Sequence, residues 1–489
     1  MSSLVWFSVR PAVVQIVPPK TFVRWRMLWY VTTLSWFLAP GFWIYVAIMA
    51  VVLLVAGKRE PHVFGLYLLL LMAVPPAAVP IPGLGIIDHV FLLDHYRLLA
   101  LVLLLPCAWR LSLRRSTVRF LRSPVDWMVL GYVVLNSILA YRGGNFTGDT
   151  RAALMLWIDF FLPYYVASRS IQNTEGFRHA LVGLVLGGVM LSVLAAVEVV
   201  RAWKLYDAAT SAYGLHIFGS YKLRGGFVRP AVTITESISL GYVVVSATGA
   251  YLYLQRLIEG NLNRRLAWLV LSVGVLASLS RAPWVGAFLL LLVYVMTGPR
   301  PLKRLLQGAA ISVCAFFALS VTPFGQQFIG LLPFVGEAEQ GNVEYRASLL
   351  TVAIPVVERN LLFGASDFLN APELAVMRQG EGIIDIVNSY LGVTLHAGLM
   401  GLFFFAGMFI LALVSLRRGM RWSRQNLDPD GLELGRALFA ILVTIMFMIF
   451  TMSSILIVPI IYLAIVGISC AYFLTQQGLD RAKLTSPTE

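Results

Sequence analysis

The chain has 489 residues, of which 59% are hydrophobic and 13% charged, with a mean hydropathy of +0.80 and a formal net charge of +14. Soluble domains carry about 25% charged residues, so this composition excludes an ordinary soluble domain, and the recurrent long apolar runs predict an all-α polytopic membrane protein, not a barrel of short alternating strands. The positive charge gathers in short loops between apolar runs, which is the positive-inside pattern and not that of a nucleic-acid binder.

Residues 1–26 form a basic segment with Pro18 and Pro19, expected on the cytoplasmic surface, and no cleavable signal peptide is evident in it. The apolar run 27–56 is broken at Pro40-Gly41 and reads either as one kinked span or as a hairpin. Spans follow at 63–80 and 97–110. Arg110, Arg114, Arg115, Arg119 and Arg122 then make the strongest basic loop of the chain, which places it in the cytoplasm and fixes the parity of the rest. Spans at 124–140, 152–167 and 179–200 lead to an outer loop, 201–231, and a span at 232–255 returns inward.

The run 266–297 has basic residues on both flanks and therefore reads as a hairpin with its apex at 278–283. Each arm has about fifteen residues, about 22 Å of helix, against a hydrocarbon core of about 30 Å. Arg281 at the apex is thus expected below the outer surface, where an arginine needs a polar cavity or a partner. The transmembrane part 27–321 ends at a long loop, 322–386, expected on the periplasmic side. The C-terminal spans occupy 387–475, with a hairpin whose outer apex is Thr451-Met452-Ser453-Ser454, and a cytoplasmic tail covers 476–489. The count is about 12–14 transmembrane helices.

A long polar loop between spans is more often a functional lid or docking element than a connector. Arginines gather on the outer side, where loops should be poor in them: Arg97, Arg142, Arg151, Arg224, Arg229, Arg281, Arg346, Arg359 and Arg378. Guanidinium groups pair bidentately with phosphate and keep their charge in a low dielectric, so the cluster suggests an anionic headgroup such as a lipid phosphate or pyrophosphate. The plain alternative is that each pairs with a carboxylate such as Asp149, Asp207, Glu236, Glu344 or Glu358. A general base for a hydroxyl acceptor is sought near the re-entry point among Asp385, Glu381 and His396; a helix starting near Asp385 would align Asp385, Ser389, Gly392 and His396 on one face. Asp159 reads as a packing ion partner and Glu198 as interfacial, one turn from Arg201. Gly225-Gly226 reads as a turn. Cys107, Cys314 and Cys470 lie in apolar runs as small buried hydrophobes, and no zinc spacing or other metal constellation appears among the scattered histidines, so no cofactor is expected.

These residues, in this order, resemble the O-antigen ligase and Wzy-type polysaccharide polymerase superfamily of bacterial inner membranes. The resemblance spans roughly 60–475 and rests on Leu93-Asp94-His95-Tyr96-Arg97-Leu98, Asp159-Phe160-Phe161-Leu162-Pro163-Tyr164-Tyr165, Glu198, Arg224-Gly225-Gly226-Phe227 with Arg229-Pro230, and Ser278-Leu279-Ser280-Arg281. Further on come Arg346, Glu358-Arg359-Asn360-Leu361-Leu362-Phe363-Gly364, and Asn388 followed by Gly398-Leu399-Met400-Gly401. It implies transfer of glycan from an undecaprenyl-pyrophosphate-linked oligosaccharide donor to a glycan acceptor, outside the membrane and without metal. Arg281, Arg224, Arg346 and Arg229 would bind the pyrophosphate, with Asn388 and Ser280 positioning. The ligases carry His directly before the Asn of the last motif; here that position is Val387. A polymerase-like glycosyltransferase of exopolysaccharide or O-antigen is therefore expected before a ligase proper. A flippase of the same lipid-linked donor is the competing expectation, and a non-catalytic assembly partner docking through 323–386 is the third. A chain-length regulator or export machinery would be a further partner. Sugar, linkage and oligomeric state are not legible.

Overall fold

The computed structural model describes residues 1–83, 85, 88–114, 117–219, 221–322, 340–378 and 382–485. The protein is all-α, with two short β-hairpins as its only sheet among these residues. Among the described residues eight helices are long and apolar enough to cross a membrane, and the chain is a polytopic α-helical membrane protein.

The N-terminal α1 (Ser2–Val13) packs Trp6 edge-on against Phe22 and Trp29 of α2 (Pro19–Leu38). The choice left open at 27–56 resolves into two helices, because α2 stops at Leu38 and α3 (Phe42–Arg59) starts after Ala39-Pro40-Gly41. They run antiparallel: at the far end from this break, Arg24 Nε and Trp25 Nε1 both donate to the buried Glu60 carboxylate at 3.0 Å. The short α4 (Val63–Leu70) is buried along its whole length. A hairpin of β1 (Val79–Pro82) and β2 (His89–Leu93) leads into α5 (His95–Leu113), which carries a π-helical turn over Ala100–Leu104.

Next, α6 (Pro124–Ala140) starts at a capping box of Ser123 and Asp126. The helix α7 (Phe146–Leu156) passes through a second π turn, Trp157–Phe161, into α8 (Leu162–Ser170). At the centre of the bundle lie α9 (Thr174–Arg201) and α10 (Ser237–Leu254), which are apolar all round and buried accordingly. Between them β3 (Leu223–Arg224) and β4 (Phe227–Val228) form a hairpin whose turn is Gly225-Gly226, with φ of 54° and 81°. Two positive φ values in a two-residue turn explain the paired glycines.

The run 266–297 is indeed a helical hairpin: α11 (Asn261–Ala277) and α12 (Arg281–Met296) meet at Ser278-Leu279-Ser280, with Leu279 at φ 46°. After α13 (Pro301–Ser320), the described part of the long loop contains α14 (Gln340–Arg359) and the one-turn α15 (Pro372–Ala375). This loop has its own small core of Leu349, Ala353, Val356, Leu374, Met377 and Ile384, closed by Leu395 of the following helix.

That helix, α16 (Ser389–Gln425), is broken at Gly398 (φ 66°, ψ −165°). The break takes up the loop 361–365: Leu399 N and Met400 N donate to the Leu361 and Leu362 carbonyls at 2.8 and 3.1 Å, and Ala365 N donates to Leu395 O at 2.9 Å. A Cβ on Gly398 would come within 2.3 Å of the Leu362 carbonyl, and one on Gly364 within 2.5 Å of Leu395 O. Both positions therefore require glycine, by φ and by space. The chain ends in the hairpin of α17 (Pro429–Ile449) and α18 (Ile457–Thr485), with its apex at 450–456.

Candidate functional site

Where α9 ends and α10, α12, α16 and α18 begin, the helix ends enclose a polar cavity of about 530 Å³. The β3–β4 hairpin supplies Lys222, Arg224 and Arg229 to its wall, the lead-in to α10 supplies Thr235, Glu236 and Ser237, and the α11–α12 turn supplies Ser280 and Arg281. Arg346 comes from α14, Asp385 and Val387 from the segment before α16, and Met452, Ser453, Ile455 and Leu456 from the α17–α18 apex. Six cationic side chains, counting Lys204, line the cavity with two carboxylates, Glu236 and Asp385. The N-termini of α10 and α12 also open on it, and neither Glu236 nor Ser280 caps its helix with its own side chain. Unsatisfied N–H groups and the helix dipole favour an anion at such ends. The arrangement can hold a strongly anionic group of several oxygens beside a carboxylate.

The arginines are oriented by their own frame. Arg224 Nη1 donates to Leu279 O at 2.7 Å and Arg229 Nη2 to Ser280 Oγ at 3.1 Å, so the β3–β4 hairpin is tied to the α11–α12 turn that bears Arg281. Arg346 Nη2 donates to Thr451 O at 3.1 Å. Burial lowers the Arg346 pKa, opposed by the attraction of Asp385. Ser453 Oγ donates to Asp385 Oδ1 at 2.8 Å, and Tyr345 donates to the Asp385 carbonyl at 3.1 Å. Burial pushes the Glu236 carboxyl above the ordinary glutamate range, and the neighbouring Asp385 charge pushes it further.

Backbone strain concentrates here as well. Thr235 (φ 70°) and Leu456 (φ 51°) line the cavity, and Val232 (φ 48°) and Leu279 (φ 46°) lie directly behind it. Positive φ is costly for β-branched residues, and strain of this kind gathers at functional sites. Part of it is held by Glu198, whose fully buried carboxylate accepts from Leu205 N, Ala231 N and Val232 N at 2.8, 2.9 and 3.0 Å. Glu198, read from the sequence as interfacial beside Arg201, is an internal clamp that binds both ends of the 201–231 loop.

The other arginines expected on the outer side are committed elsewhere. Arg97 pairs with Asp159, Nη2 to Oδ2 at 2.8 Å with Nε on the same carboxylate, which agrees with the packing role read for Asp159. Arg142 donates to the carbonyls of Phe363, Gly364 and His396 at 3.0, 2.8 and 3.0 Å and so locks the loop inserted at the Gly398 break. Arg151 donates to the His89 and Val90 carbonyls, Arg378 to Gly382 O, and Arg359 pairs with Glu373.

Of the residues singled out from the sequence, the structure gathers Arg224, Arg229, Ser280, Arg281, Arg346 and Asp385 into one cavity. It does not gather His396, whose ring packs edge-on against Phe368 and whose carbonyl is held by Arg142. Glu381 lies outside the described residues. Asn388 is the N-cap of α16, accepting from Tyr390 N and Leu391 N at 3.0 and 3.2 Å. The shared helical face expected for Asp385, Ser389, Gly392 and His396 does not form, because the helix starts only at Ser389 and Asp385 precedes its cap. Sequence reasoning placed Glu236 only among carboxylates for surface pairing; its position just before an apolar helix was the available signal.

Residues 266–406 match the model of the family described as O-antigen ligase. The match takes in Ser280, Arg281, Arg346, Asp385 and Val387, while Arg224, Arg229, Glu236 and Ser453 complete the cavity from outside it. No curated protein matches the chain.

Proposed function

We propose that this chain, whose residues 266–406 match the O-antigen ligase family model, is a polymerase-type glycosyltransferase of the O-antigen ligase and Wzy-type superfamily, acting on undecaprenyl-pyrophosphate-linked oligosaccharide at the periplasmic face of the bacterial inner membrane. The observation that carries this reading is the cavity in which Arg224, Arg229, Arg281 and Arg346 stand together with Glu236 and Asp385 at the ends of membrane helices. The guanidinium groups bind the donor's pyrophosphate and stabilise the charge that develops as it leaves.

In the step itself the acceptor hydroxyl oxygen bonds to the anomeric carbon of the donor sugar. The bond from that carbon to the pyrophosphate oxygen breaks, polyprenyl pyrophosphate departs with the bonding electrons, and the hydroxyl proton passes to a cavity carboxylate. Burial and the neighbouring Asp385 raise the Glu236 pKa, which makes Glu236 a stronger base than an ordinary glutamate, and Ser453 holds Asp385 beside it. Val387 puts an apolar wall where ligases carry histidine, which supports polymerase-type over ligase chemistry.

The test is turnover by the purified full chain in detergent or nanodiscs with lipid-linked oligosaccharide. Longer lipid-linked glycan together with free polyprenyl pyrophosphate is the expected result. Movement of intact donor across a vesicle membrane without glycan growth would make the chain a flippase instead.

A further inference from the structure

At the end of α9 remote from the cavity, a second cluster of ligand-type side chains has no part in the chemistry proposed above. We propose that His62, Glu175 and His179 form a Zn²⁺ site that clasps the start of α4 to the start of α9. Their donor atoms all lie within 4.8 Å of one another. His62 Nε2 stands 3.6 Å from Glu175 Oε1, and the two imidazole rings are 4.3 Å apart at 33°. Tetrahedral zinc with bonds of about 2.0–2.2 Å sets its donors about 3.3–3.5 Å apart. One pair already has nearly that spacing, and no donor lies more than 4.8 Å from another.

Three features distinguish this cluster from a simple ion pair. First, His179 Nδ1 lies 2.8 Å from the Glu175 carbonyl, an acceptor one helical turn earlier. That bond requires the proton on Nδ1 and leaves the Nε2 lone pair for a metal, the arrangement that commonly orients a ligating histidine. Second, the approach of the two helices is built for contact at this point. A Cβ on Gly65 would meet His179 O at 2.6 Å, and one on Gly183 would meet Gly65 O at 2.1 Å. Only glycine at both positions lets α4 lie close enough to bring His62 beside His179. Third, burial is graded: His179 is buried, while 16% of the His62 side chain and 56% of the Glu175 side chain remain exposed. Two histidines and one carboxylate with a solvent side fit zinc with water as fourth ligand.

From His179 to Glu198 along α9 is nineteen residues, about 28 Å of helix, so this site and the cavity occupy opposite ends of one helix. A clasp there fixes the helix whose other end carries the Glu198 clamp.

The experiment uses the full chain with a non-histidine affinity tag, purified in detergent and stripped with chelator, then titrated with Zn²⁺ by equilibrium dialysis and with Co²⁺ by visible absorption. About one Zn²⁺ per chain is expected, with the intense Co²⁺ bands of a tetrahedral site and a rise in melting temperature on zinc addition. His62→Ala and His179→Ala are expected to lose at least about tenfold in affinity, and His89→Ala, at a histidine paired with Asp88 elsewhere, to behave as wild type. Should His179→Ala fail to fold, His62→Ala and Glu175→Gln, at partly exposed positions, decide. No zinc uptake by the wild type, or uptake unchanged in the His62 and Glu175 variants, overturns the site. Glycan transfer is not read in this assay, so the outcome is independent of the proposed activity.

Discussion

Two sets of arginines, expected from the sequence on one side of the membrane, differ in where the fold places them. Those of the rim, Arg97, Arg142, Arg151 and Arg359, are matched to a carboxylate or to backbone carbonyls that no ligand need displace. Those of the cavity, Arg224, Arg229, Arg281 and Arg346, line a polar volume together with Glu236 and Asp385. Sequence composition sees one cluster of arginines; the fold divides it into a scaffold and a site.

The comparison breaks most sharply on charge removal. Arg281→Ala and Arg346→Ala should lower turnover by about 10²–10³-fold, the range for loss of a preorganised electrostatic group, with little change in melting temperature. Arg281→Lys should remain impaired, since an ammonium lacks the planar fork. Arg97→Ala should do the reverse, lowering thermal stability by leaving Asp159 without its partner. Steady-state rates beside melting curves of the same preparations separate the two sets, and a rim variant that loses turnover at unchanged stability would dissolve the distinction.

The next effect concerns the carboxylates. Glu236→Gln should cost about 10²–10⁴-fold in turnover. A base acts when ionised, so wild-type turnover should fall as pH is lowered through the raised Glu236 pKa, and that acid limb should vanish in Glu236→Gln. If Asp385→Asn removes the limb while Glu236→Gln keeps it, the base is Asp385. Smaller again is Gly398→Ala, where a Cβ meets the Leu362 carbonyl. It should lower stability by about 1–3 kcal/mol, measured by denaturant or thermal unfolding, and reduce turnover only through the displaced loop. The smallest is a partial rescue of Glu236→Gln by Val387→His, which places an imidazole on the same cavity wall; rates that stay flat would separate Val387 from the proton path.

Much of this was legible beforehand where chemistry is local. The all-α membrane class follows from hydropathy, and the hairpin at 278–280 follows from basic flanks on an apolar run too long for one arm and too short for two full spans. What could not be read is what depends on distant segments meeting. Asp385 and Ser453 touch only because the α17–α18 apex folds beneath the start of α16. His62 and His179 lie more than a hundred residues apart, so scattered histidines gave no metal spacing although the helix crossing brings them together. The partners of Glu198 are three backbone N–H groups, which carry no signature in side-chain sequence.

The most direct test of the central claim is equilibrium binding of polyprenyl pyrophosphate to the purified protein, compared across wild type, Arg281→Lys and Arg359→Lys. A cavity that recognises pyrophosphate through forked guanidinium groups predicts weaker binding, by about tenfold or more, in Arg281→Lys alone. Equal affinity for all three proteins would contradict the assignment of the cavity as the donor site.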